Sequence, residues 1–383
     1  MFNVTCVTKD EIREFAYKSG IDIVGFASPD CLFKYRNLLK NRYENGLSCN
    51  IEEKDIEKRI NPYYFLKDVK SIVSIAVSYN IVYEADSPKS AYGTISRTAW
   101  GVDYHKVLIN LLEKLRNFIL SKCNDAKAVL LVDNNPLLER AIAYNAGIGF
   151  YGKNNMIINE KYGSYLFIGE MLLNIFFEPD KKIVSKCGSC TRCLKACPGK
   201  ALVGEYKIDA NKCLSYATIK KGYLSDDTIK KIGTRVYGCD TCQDVCPFNK
   251  TAKRVIKDEF IPRGLKPKHD LKEILSLNKE KFQEVFGPTS ASWRGKNTMI
   301  RNAIIASINS NDKNAIEPLK SLLDGESSYL RGYSAYALSI LDGENSLPYI
   351  EKAYFKETDV SAKMFMKKAI KKIRGEVFED NER

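Results

Sequence analysis

Eight of the twelve cysteines lie between Cys187 and Cys246, and this clustering limits the possible folds more than any other feature of the sequence. They form a run with the spacing Cys-x2-Cys-x2-Cys-x3-Cys-Pro from Cys187, a lone Cys213, and a run Cys-x2-Cys-x3-Cys-Pro from Cys239. In a reducing compartment, closely spaced cysteines more often bind metal than form disulfides. Structural zinc typically uses two separated pairs, whereas three cysteines at three-residue steps can hold three corners of an iron–sulfur cube. The spacing therefore favours iron–sulfur clusters over zinc.

The positions of the prolines indicate how the cysteines are shared between two clusters. In bacterial ferredoxins, the cysteine just before a proline ligates the other cluster. The second run has Val236 where its first cysteine would stand, and Cys213 is the natural substitute. The predicted ligands of the first 4Fe–4S cluster are Cys187, Cys190, Cys193 and Cys246, and those of the second are Cys197, Cys213, Cys239 and Cys242. The remaining cysteines are predicted to be ordinary half-buried free thiols, namely Cys6, Cys31, Cys49 and Cys123.

The charge balance favours a polyanionic partner. The chain of 383 residues has 60 Lys and Arg against 47 Asp and Glu, which gives a formal net charge of +13. An excess of this size is typical of proteins that bind nucleic acid or an anionic membrane face. No stretch approaches the roughly 20 apolar residues that span a bilayer, and the first residues do not resemble a secretion signal. We therefore expect a soluble, cytoplasmic protein without a membrane partner.

The N-terminal part of the chain has the pattern of a mixed α/β domain. Strands are predicted at 21–27, 69–80, 126–136 and 163–174, and a long amphipathic helix is predicted at 105–123. Shorter helices are expected to end at Gly20 and Gly147. Neither a G-x-G-x-x-G turn nor a P-loop is present, which argues against a dinucleotide or nucleoside triphosphate fold.

The C-terminal part is helical and weakly repetitive. Arg301 and Arg331 can be overlaid, Pro318 and Pro348 repeat at the same 30-residue spacing, and a third copy begins near Val360. This pattern indicates a short HEAT-like array of stacked helix pairs. The last predicted helix carries six basic residues, which either contact nucleic-acid phosphates or form a solvated face: Lys363, Lys367, Lys368, Lys371, Lys372 and Arg374.

Four segments together make the sequence similar to a known family. They are AWGVDYHK (99–106), VDNNPLLERAIAYNAGIGFYGKNNMIIN (132–159), CLSYATIKKG (213–222) and GCDTCQDVCP (238–247). With the twin cluster motif between an α/β region and helical repeats, the chain resembles the epoxyqueuosine reductases over nearly its whole length. The resemblance implies a nitroreductase-like α/β domain that binds cobalamin at 1–178, and a ferredoxin-like module with two 4Fe–4S clusters at 179–255. A linker and a HEAT-like domain that contacts tRNA would follow at 256–383.

The resemblance also implies a reaction and partners. The family removes the epoxide oxygen of epoxyqueuosine at the wobble position of tRNA, the last step of queuosine biosynthesis. The implied partners are a tRNA that carries epoxyqueuosine and an external one-electron donor of the flavodoxin or ferredoxin type. A monomer is the working hypothesis for the oligomeric state.

Asp133 is the predicted proton donor. It ends the apolar run AVLLVD and enters a turn, so its side chain is expected to face a cleft. A carboxylic acid kept partly protonated by burial or by neighbouring anions could protonate the opened epoxide oxygen. The resemblance supports this role, since the family's donor lies in the same V-D-x-x-P context. The alternative is an aspartate that caps a helix starting at Pro136.

The resemblance suggests further site residues, each with an ordinary structural alternative. Tyr104 and His105 would lie near the substrate, although His105 could simply begin a helix that Asp103 caps. His105 is not predicted to ligate cobalt, because Leu108 stands where the cobalt-binding signature D-x-H-x-x-G has glycine. Arg140 is expected to pair with Asp133, although it could be a surface arginine, as could Arg59. The predicted cofactor contacts are Arg59, Asp133, Ile157, Ile168 and Ser215, and the predicted tRNA contacts are Lys220 and Lys221.

Two other functions remain open on the sequence alone. A corrinoid reductive dehalogenase would share the combination of corrin and clusters, but such enzymes usually carry a twin-arginine export signal and lack helical repeats. An electron-transfer protein with a nucleic-acid-binding tail would carry the clusters and no cobalamin.

Overall fold

The computed structural model describes residues 6–84, 88 and 90–377. Its strands are β1 (Ile23–Ala27), β2 (Ser71–Ser78), β3 (Tyr92–Ile95), β4 (Ala128–Leu131), β5 (Phe150–Tyr151), β6 (Ile157–Ile158), β7 (Leu166–Leu173), β8 (Leu202–Gly204), β9 (Lys207–Ile208), β10 (Arg235–Tyr237) and β11 (Lys268–Asp270).

The helices fall mainly in the second half of the chain. They are α1 (Lys9–Lys18), α2 (Arg36–Glu44), α3 (Ile56–Ile60), α4 (Tyr104–Lys122), α5 (Glu139–Asn145), α6 (Arg192–Ala196), α7 (Leu214–Ile219), α8 (Asp226–Ile232), α9 (Thr241–Asp244), α10 (Pro247–Thr251), α11 (Leu271–Leu275), α12 (Lys279–Val285), α13 (Lys296–Ser310), α14 (Ile316–Leu323), α15 (Ser328–Leu341), α16 (Leu347–Lys356) and α17 (Val360–Ile373).

The chain divides into two compact units, and each unit collects segments that are not consecutive in sequence. The first contains residues up to 83, 102–212 and 240–261, and the second contains 84–101, 213–239 and the residues from 262 onward. The mixed α/β class expected from the sequence is confirmed. The linear three-domain division stays a prediction.

The first unit is built on a four-stranded antiparallel sheet in the order β1-β2-β7-β4, which is formed by the four predicted strands. β2 and β7 are buried at every position. α4 packs on one face, where Gly169 leaves room for Leu108 and Leu112. α5 packs on the other face, where Gly25 allows the backbone carbonyl of Ala146 to approach closely. The two glycines thus let a helix lie close against each face of the sheet.

A disulfide corrects one prediction about the first unit. Cys6 and Cys123 are bonded to each other across 117 residues of sequence, so the prediction that both are free thiols was wrong. The bond joins the chain just before α1 to the end of α4, and the rings of Phe15 and Phe118 stack between the same two helices. Cys31 and Cys49 are free, as predicted.

The second unit has a three-stranded sheet, in the order β10-β3-β11, packed with the helices α11 to α17. The helices α13 to α17 lie where the repeat pattern predicts them. Arg301 of α13 is fully buried, and its guanidinium donates hydrogen bonds to the carbonyls of Ala217, Thr218 and Gly222. These carbonyls belong to the last turn of α7 and the loop after it, so the buried arginine holds that loop in place.

The basic helix α17 is only partly free to meet an external partner. Lys368 forms an ion pair with Asp226, and Arg374 forms one with Glu351. Lys368 and Arg374, which were predicted to contact phosphates, are therefore engaged within the protein. In the described part of the chain, no helix is both long and apolar enough to cross a membrane.

Candidate active site and cluster-binding cysteines

Asp133 lies on a strained turn immediately after β4. Its φ angle is +47°, in the left-handed region that residues with side chains rarely adopt. The turn is closed by hydrogen bonds from the backbone N–H of Asn134 to the carbonyl of Val132 and from Asn135 to that of Asp133. α5 begins at Glu139 with Leu138 as its N-cap, so Asp133 does not cap that helix. Strain of this kind is common where a side chain must be held for function, and the Asp133 side chain is 52% exposed.

The first turn of α4 holds the side chains that contact Asp133. The hydroxyl of Tyr104 donates a hydrogen bond to Asp133 Oδ2 at 2.5 Å, and His105 Nε2 lies 3.4 Å from the same oxygen. Asp103 caps α4 by accepting a hydrogen bond from the backbone N–H of His105, and its Oδ1 lies 2.7 Å from His105 Nδ1. The Tyr104 ring stacks on His105 and on Phe167 of β7. His105 is therefore fixed between two carboxylates.

This arrangement places the proton on His105 rather than on Asp133. Burial lowers the pKa of His105, but the hydrogen bond to Asp103 and the close contact with the Asp133 carboxylate outweigh burial and raise this pKa to about 9. The pKa of Asp133 is lowered, chiefly by its close contact with His105 and against the effect of burial. The sequence predicts a partly protonated Asp133, and the structure instead gives an imidazolium–carboxylate pair at neutral pH. The difference arises because Asp103 and Asp133 both stabilise the charged imidazole.

The two predicted arginines make contacts other than those expected. Arg140 donates a hydrogen bond to the carbonyl of Asn155 and does not bond to Asp133, although its charge helps to lower the pKa of Asp133. Arg59 is largely buried and contacts the Tyr43 hydroxyl at 2.9 Å and the Glu52 carboxylate at 3.2 Å. Its carbonyl accepts a hydrogen bond from Leu138, so the Arg59 backbone lies beside the start of α5.

The remaining predicted contacts divide between the two units. Ile157 of β6 and Ile168 of β7 are buried in the first unit. Ser215 lies in α7 of the second unit, where its carbonyl accepts a hydrogen bond from the Thr218 hydroxyl. Lys220 and Lys221 follow α7 and are exposed, as a role in tRNA binding requires. These roles stay predictions.

Two glutamates close to Asp133 are not among the residues predicted from the sequence. Glu139 is partly buried, and its pKa is raised to about 8, first by burial and then by the charge of Asp133. Glu170, in the middle of β7, is 1% exposed, and burial raises its pKa well above the usual range. A glutamate inside the otherwise apolar run LFIGEMLL was the signal for Glu170, because charged residues are almost never fully buried without a partner.

The four cysteines predicted to hold the first cluster lie in the first unit, near enough for their thiols to influence one another. Burial raises the pKa of Cys193 and of Cys246, and neighbouring thiols raise both values further. Cys187 and Cys246 also pack with Phe150, Ile158 and Phe248 in one apolar cluster. Thiols that oppose each other's ionisation suit a bound metal centre, whose positive charge would stabilise the thiolates.

The cysteines predicted to hold the second cluster are split between the two units. In the first unit, Cys197 Sγ accepts a hydrogen bond from the backbone N–H of Ala201 at 3.2 Å, a type of contact that tunes cluster potentials. In the second unit, Cys213 is the N-cap residue of α7. Within the described ranges, no three His, Cys, Asp or Glu side chains are grouped closely enough to hold a single metal ion. The second ligand set stays a prediction.

Two family models match the chain. One is described as a 4Fe-4S double cluster binding domain and matches residues 186–249, the region of both cysteine runs. The other is described as "Epoxyqueuosine reductase QueG, DUF1730" and matches residues 59–134, which end just after Asp133.

Similarity to individual proteins extends over almost the whole chain. The sequence is 40% identical to the epoxyqueuosine reductase of Bacillus subtilis (strain 168) over 371 residues, which are 96% of each chain. It is 38% identical to the epoxyqueuosine reductase of Staphylococcus aureus (strain NCTC 8325 / PS 47), with 91% of this chain and 93% of the relative covered.

Solved structures are similar over the same length. A crystal structure of epoxyqueuosine reductase with a tRNA-Tyr epoxyqueuosine-modified tRNA stem loop superposes with a TM-score of 0.92 and 40% identity, and covers 96% of this chain and 98% of that one. A structure of the Bacillus subtilis enzyme, with its aspartate-bearing catalytic loop swung out of the active site, gives a TM-score of 0.90 and 39% identity, and covers 95% and 98%.

Proposed function

The chain belongs to the epoxyqueuosine reductase family, and from that premise we propose that it reduces epoxyqueuosine to queuosine at the wobble position of tRNA. The reaction removes the epoxide oxygen, consumes two electrons and two protons, and releases water. The chain is thus an oxidoreductase that acts on a modified nucleoside within a polyanion, and its net charge of +13 supports such a substrate.

The observation that carries this proposal is the contact of one half-exposed carboxylate, Asp133, with a tyrosine hydroxyl and a charged imidazole. A group that protonates a departing oxygen must be exposed to the substrate and connected to a proton source. Asp133 is exposed, and His105 beside it carries a proton up to a pH of about 9. The relative in which the catalytic aspartate loop has swung out of the active site is consistent with Asp133 lying on a strained turn.

Two 4Fe–4S clusters and cobalamin are the cofactors. The double-cluster family match and the grouped thiols of the first unit support the clusters. For cobalamin, the Nδ2 atoms of Asn135 and Asn155 are buried beside the Asp133 turn and have no hydrogen-bond partner among the described residues. Such amide donors fit the amide-bearing rim of a corrin ring, and we propose that they hold it together with Ile157, Ile168 and the region of Arg59. Bound cobalamin would supply the metal-centred electrons that open the epoxide, and the clusters would deliver new electrons to the cobalamin.

The protein's own residues supply the first proton. We expect it to pass from His105 Nε2 to the Asp133 carboxylate and from there to the epoxide oxygen. Asp103 keeps the imidazole oriented through His105 Nδ1, and Tyr104 holds Asp133 through its hydroxyl. Arg140 contributes positive charge that favours the anionic form of Asp133 once the proton has left.

The partner proteins and domain types are proposed on the same basis. A relative is known with a modified tRNA stem loop, and we propose that Lys220 and Lys221 contact the phosphates of the tRNA. An external one-electron donor of the flavodoxin or ferredoxin type would reduce a monomer in the cytoplasm. The proposed domain types are a nitroreductase-like fold for the sheet of the first unit and a HEAT-like array for α13 to α17, which the 30-residue repeat of Arg301 and Arg331 supports.

Nucleoside analysis tests the function directly. Anaerobically reconstituted, reduced protein would be incubated with tRNA that carries epoxyqueuosine, and the nucleosides would be separated and measured by mass spectrometry. We expect epoxyqueuosine to be converted to queuosine, with the loss of one oxygen atom. Unchanged epoxyqueuosine, in a sample that contains both clusters and the corrin, would contradict the proposal.

Replacing Asp133 tests the proton donor. Asp133→Asn removes the carboxylate while keeping its size, and turnover is expected to fall by at least about a hundredfold, the lower range for general acid catalysis. The absorption spectra of clusters and corrin should be unchanged. Asp125→Asn is the matched control, because Asp125 is exposed near the opposite end of β4 and should leave turnover unaltered. Wild-type turnover in Asp133→Asn would show that another group is the donor.

A further inference from the structure

Glu170 is a buried carboxyl group without a partner in the centre of the first unit's sheet. It is 1% exposed, and its Oε1 atom has no hydrogen-bond partner in the described part of the chain. Ser74, its cross-strand neighbour on β2, is also fully buried, and its hydroxyl is likewise unpartnered. Buried polar groups are nearly always hydrogen-bonded, so an unpartnered pair at the centre of a sheet requires a functional or structural explanation.

The strand register connects Glu170 to the Asp133 turn. Gly25, Ser74, Glu170 and Leu131 lie opposite one another across β1, β2, β7 and β4, so their side-chain positions share one face of the sheet. α5 packs over that face and begins with Glu139. Leu131 ends β4 two residues before Asp133. These four residues form a row across the sheet. The row begins in the buried interior and ends at Leu131, next to the exposed Asp133 turn.

Glu139 connects the two ends of this row. It is the first residue of α5, which packs against β1, β2 and β7 over this face, and its charge acts on Glu170. Four titratable or charged groups face Glu139, namely Asp133, Arg140, His105 and Tyr151, whereas Glu170 is faced by Glu139 and Asp133. Arg140 is the one cation among them besides His105, and it is engaged with the Asn155 carbonyl. The setting therefore disfavours carboxylate charge on both glutamates.

We propose that Glu139 and Glu170 form a proton reserve that reloads Asp133 during turnover. The inference rests on the proposed function, because deoxygenation of an epoxide to an alkene and water needs two protons for its two electrons. The first proton comes from His105 through Asp133. The second passes from the Glu139 carboxyl to the emptied Asp133 carboxylate and then to the bound oxygen, which leaves as water. Glu170 returns a proton to Glu139, and solvent protons restore the reserve through the partly exposed Glu139. Neither glutamate contacts the substrate in this scheme, because both act on it only through Asp133. We therefore class them as positioning residues and not as catalytic residues.

The reserve predicts a specific pH dependence. The pKa of Glu139 is raised to about 8, so its proton is present below that pH and is lost above it. In single-turnover experiments, the rate of product formation by wild-type protein should fall as pH rises through about 8. Glu139→Gln should be slower by about tenfold or more at neutral pH and should lack this decline. Glu113→Gln, at an exposed position on α4, is the matched control and should retain the wild-type profile.

Infrared spectroscopy tests the reserve independently of turnover. Protein with its clusters and without tRNA should show the C=O band of a protonated, buried carboxyl that persists well above the ordinary glutamate pKa and disappears in Glu170→Gln. If this band is absent in the wild type, or if both glutamine variants keep the wild-type rate and pH profile, the reserve does not exist. A wild-type protein that leaves epoxyqueuosine unchanged overturns the proposed function instead, while the infrared band still reports on Glu170. Absorption of the clusters in each variant shows that it is folded.

Discussion

Two buried glutamates, one in each unit, are stabilised in opposite ways. Glu357, after α16, has a side chain that is 1% exposed and that accepts two hydrogen bonds from the Arg331 guanidinium, at 2.6 and 2.7 Å, and two more from backbone N–H groups. Its pKa is lowered, chiefly by Arg331. Glu170 is equally buried, has no cation bonded to it, and has a raised pKa.

The contrast separates a structural charge from a group that can carry a proton. A buried carboxylate with a bidentate arginine stays ionised over the physiological range and fixes two segments of chain together. A buried carboxyl without a cation stays neutral and keeps a proton that a nearby reaction can use. Glu357, the structural charge, lies between α16 and α17 and is bonded to Arg331 of α15. Glu170, the proton-carrying group, lies in the sheet near the Asp133 turn.

The largest expected effect comes from removing the cation of the structural pair. Arg331→Ala leaves Glu357 buried without its partner, and we expect the free energy of unfolding to fall by about 3 kcal/mol, the lower range for breaking a buried pair. Denaturant titration of the cluster-loaded protein at pH 7 measures this loss. Arg374→Ala is the matched control, because its pair with Glu351 is half exposed and should contribute about 0.5 kcal/mol.

The same pair also predicts how stability depends on pH. Because the pKa of Glu357 is lowered in the folded state, its contribution is present above the ordinary glutamate pKa and is lost as pH falls through the folded value. The difference between wild type and Arg331→Ala should therefore shrink in acid. If the difference in free energy of unfolding between wild type and Arg331→Ala stays constant down to the lowest pH at which both proteins are folded, Arg331 does not hold Glu357 ionised.

A smaller effect is expected when the neutral glutamate is replaced. Glu170→Gln exchanges a protonated carboxyl for an amide of the same size, so the free energy of unfolding at pH 7 should change by about 1 kcal/mol or less. Because the folded state raises the pKa of Glu170, the wild type loses stability as pH rises from the ordinary glutamate value towards the folded value. The variant lacks that loss, so its stability relative to wild type should increase with pH. Denaturant titrations between pH 5 and 8 test this, and a stability difference that does not change with pH would mean that Glu170 is ionised in the folded protein.

The comparison also shows what the sequence could and could not predict. Each strand of the central sheet has an apolar run of the right length, and Asp133 was found because it ends one of these runs. The charge state of Asp133 was not predicted, because it depends on His105 lying between two carboxylates that are 30 residues apart in sequence. Glu170 was missed for a similar reason. Its neighbours are set by strand register, which brings together residues 25, 74, 131 and 170.

Sequence spacing was informative only where ligands are close along the chain. Cys187, Cys190 and Cys193 were predicted as ligands from their three-residue steps, and Cys246 by analogy with ferredoxins. The structure places Cys187 and Cys246 in one apolar cluster, and the ligand set stays a prediction. The bond between Cys6 and Cys123 has no such local signal, because 117 residues separate the two cysteines. Long-range pairing of this kind depends on the packing of α1 against α4, which no short motif encodes.

The smallest expected effect extends the comparison to two exposed cations at the surface of the second unit. Lys220 and Lys221 are exposed after α7, and the loop that carries them is held by the buried Arg301. If each contacts one phosphate, Lys220→Ala and Lys221→Ala should each lower the slope of log affinity for tRNA against log salt by about 0.7, the value for single-stranded nucleic acid. Neither should alter the rate at saturating tRNA. Binding measured at several salt concentrations, with Lys279→Ala on α12 as control, tests this. An unchanged slope in both variants would place the tRNA phosphates elsewhere, because a lysine that releases no counterion makes no phosphate contact.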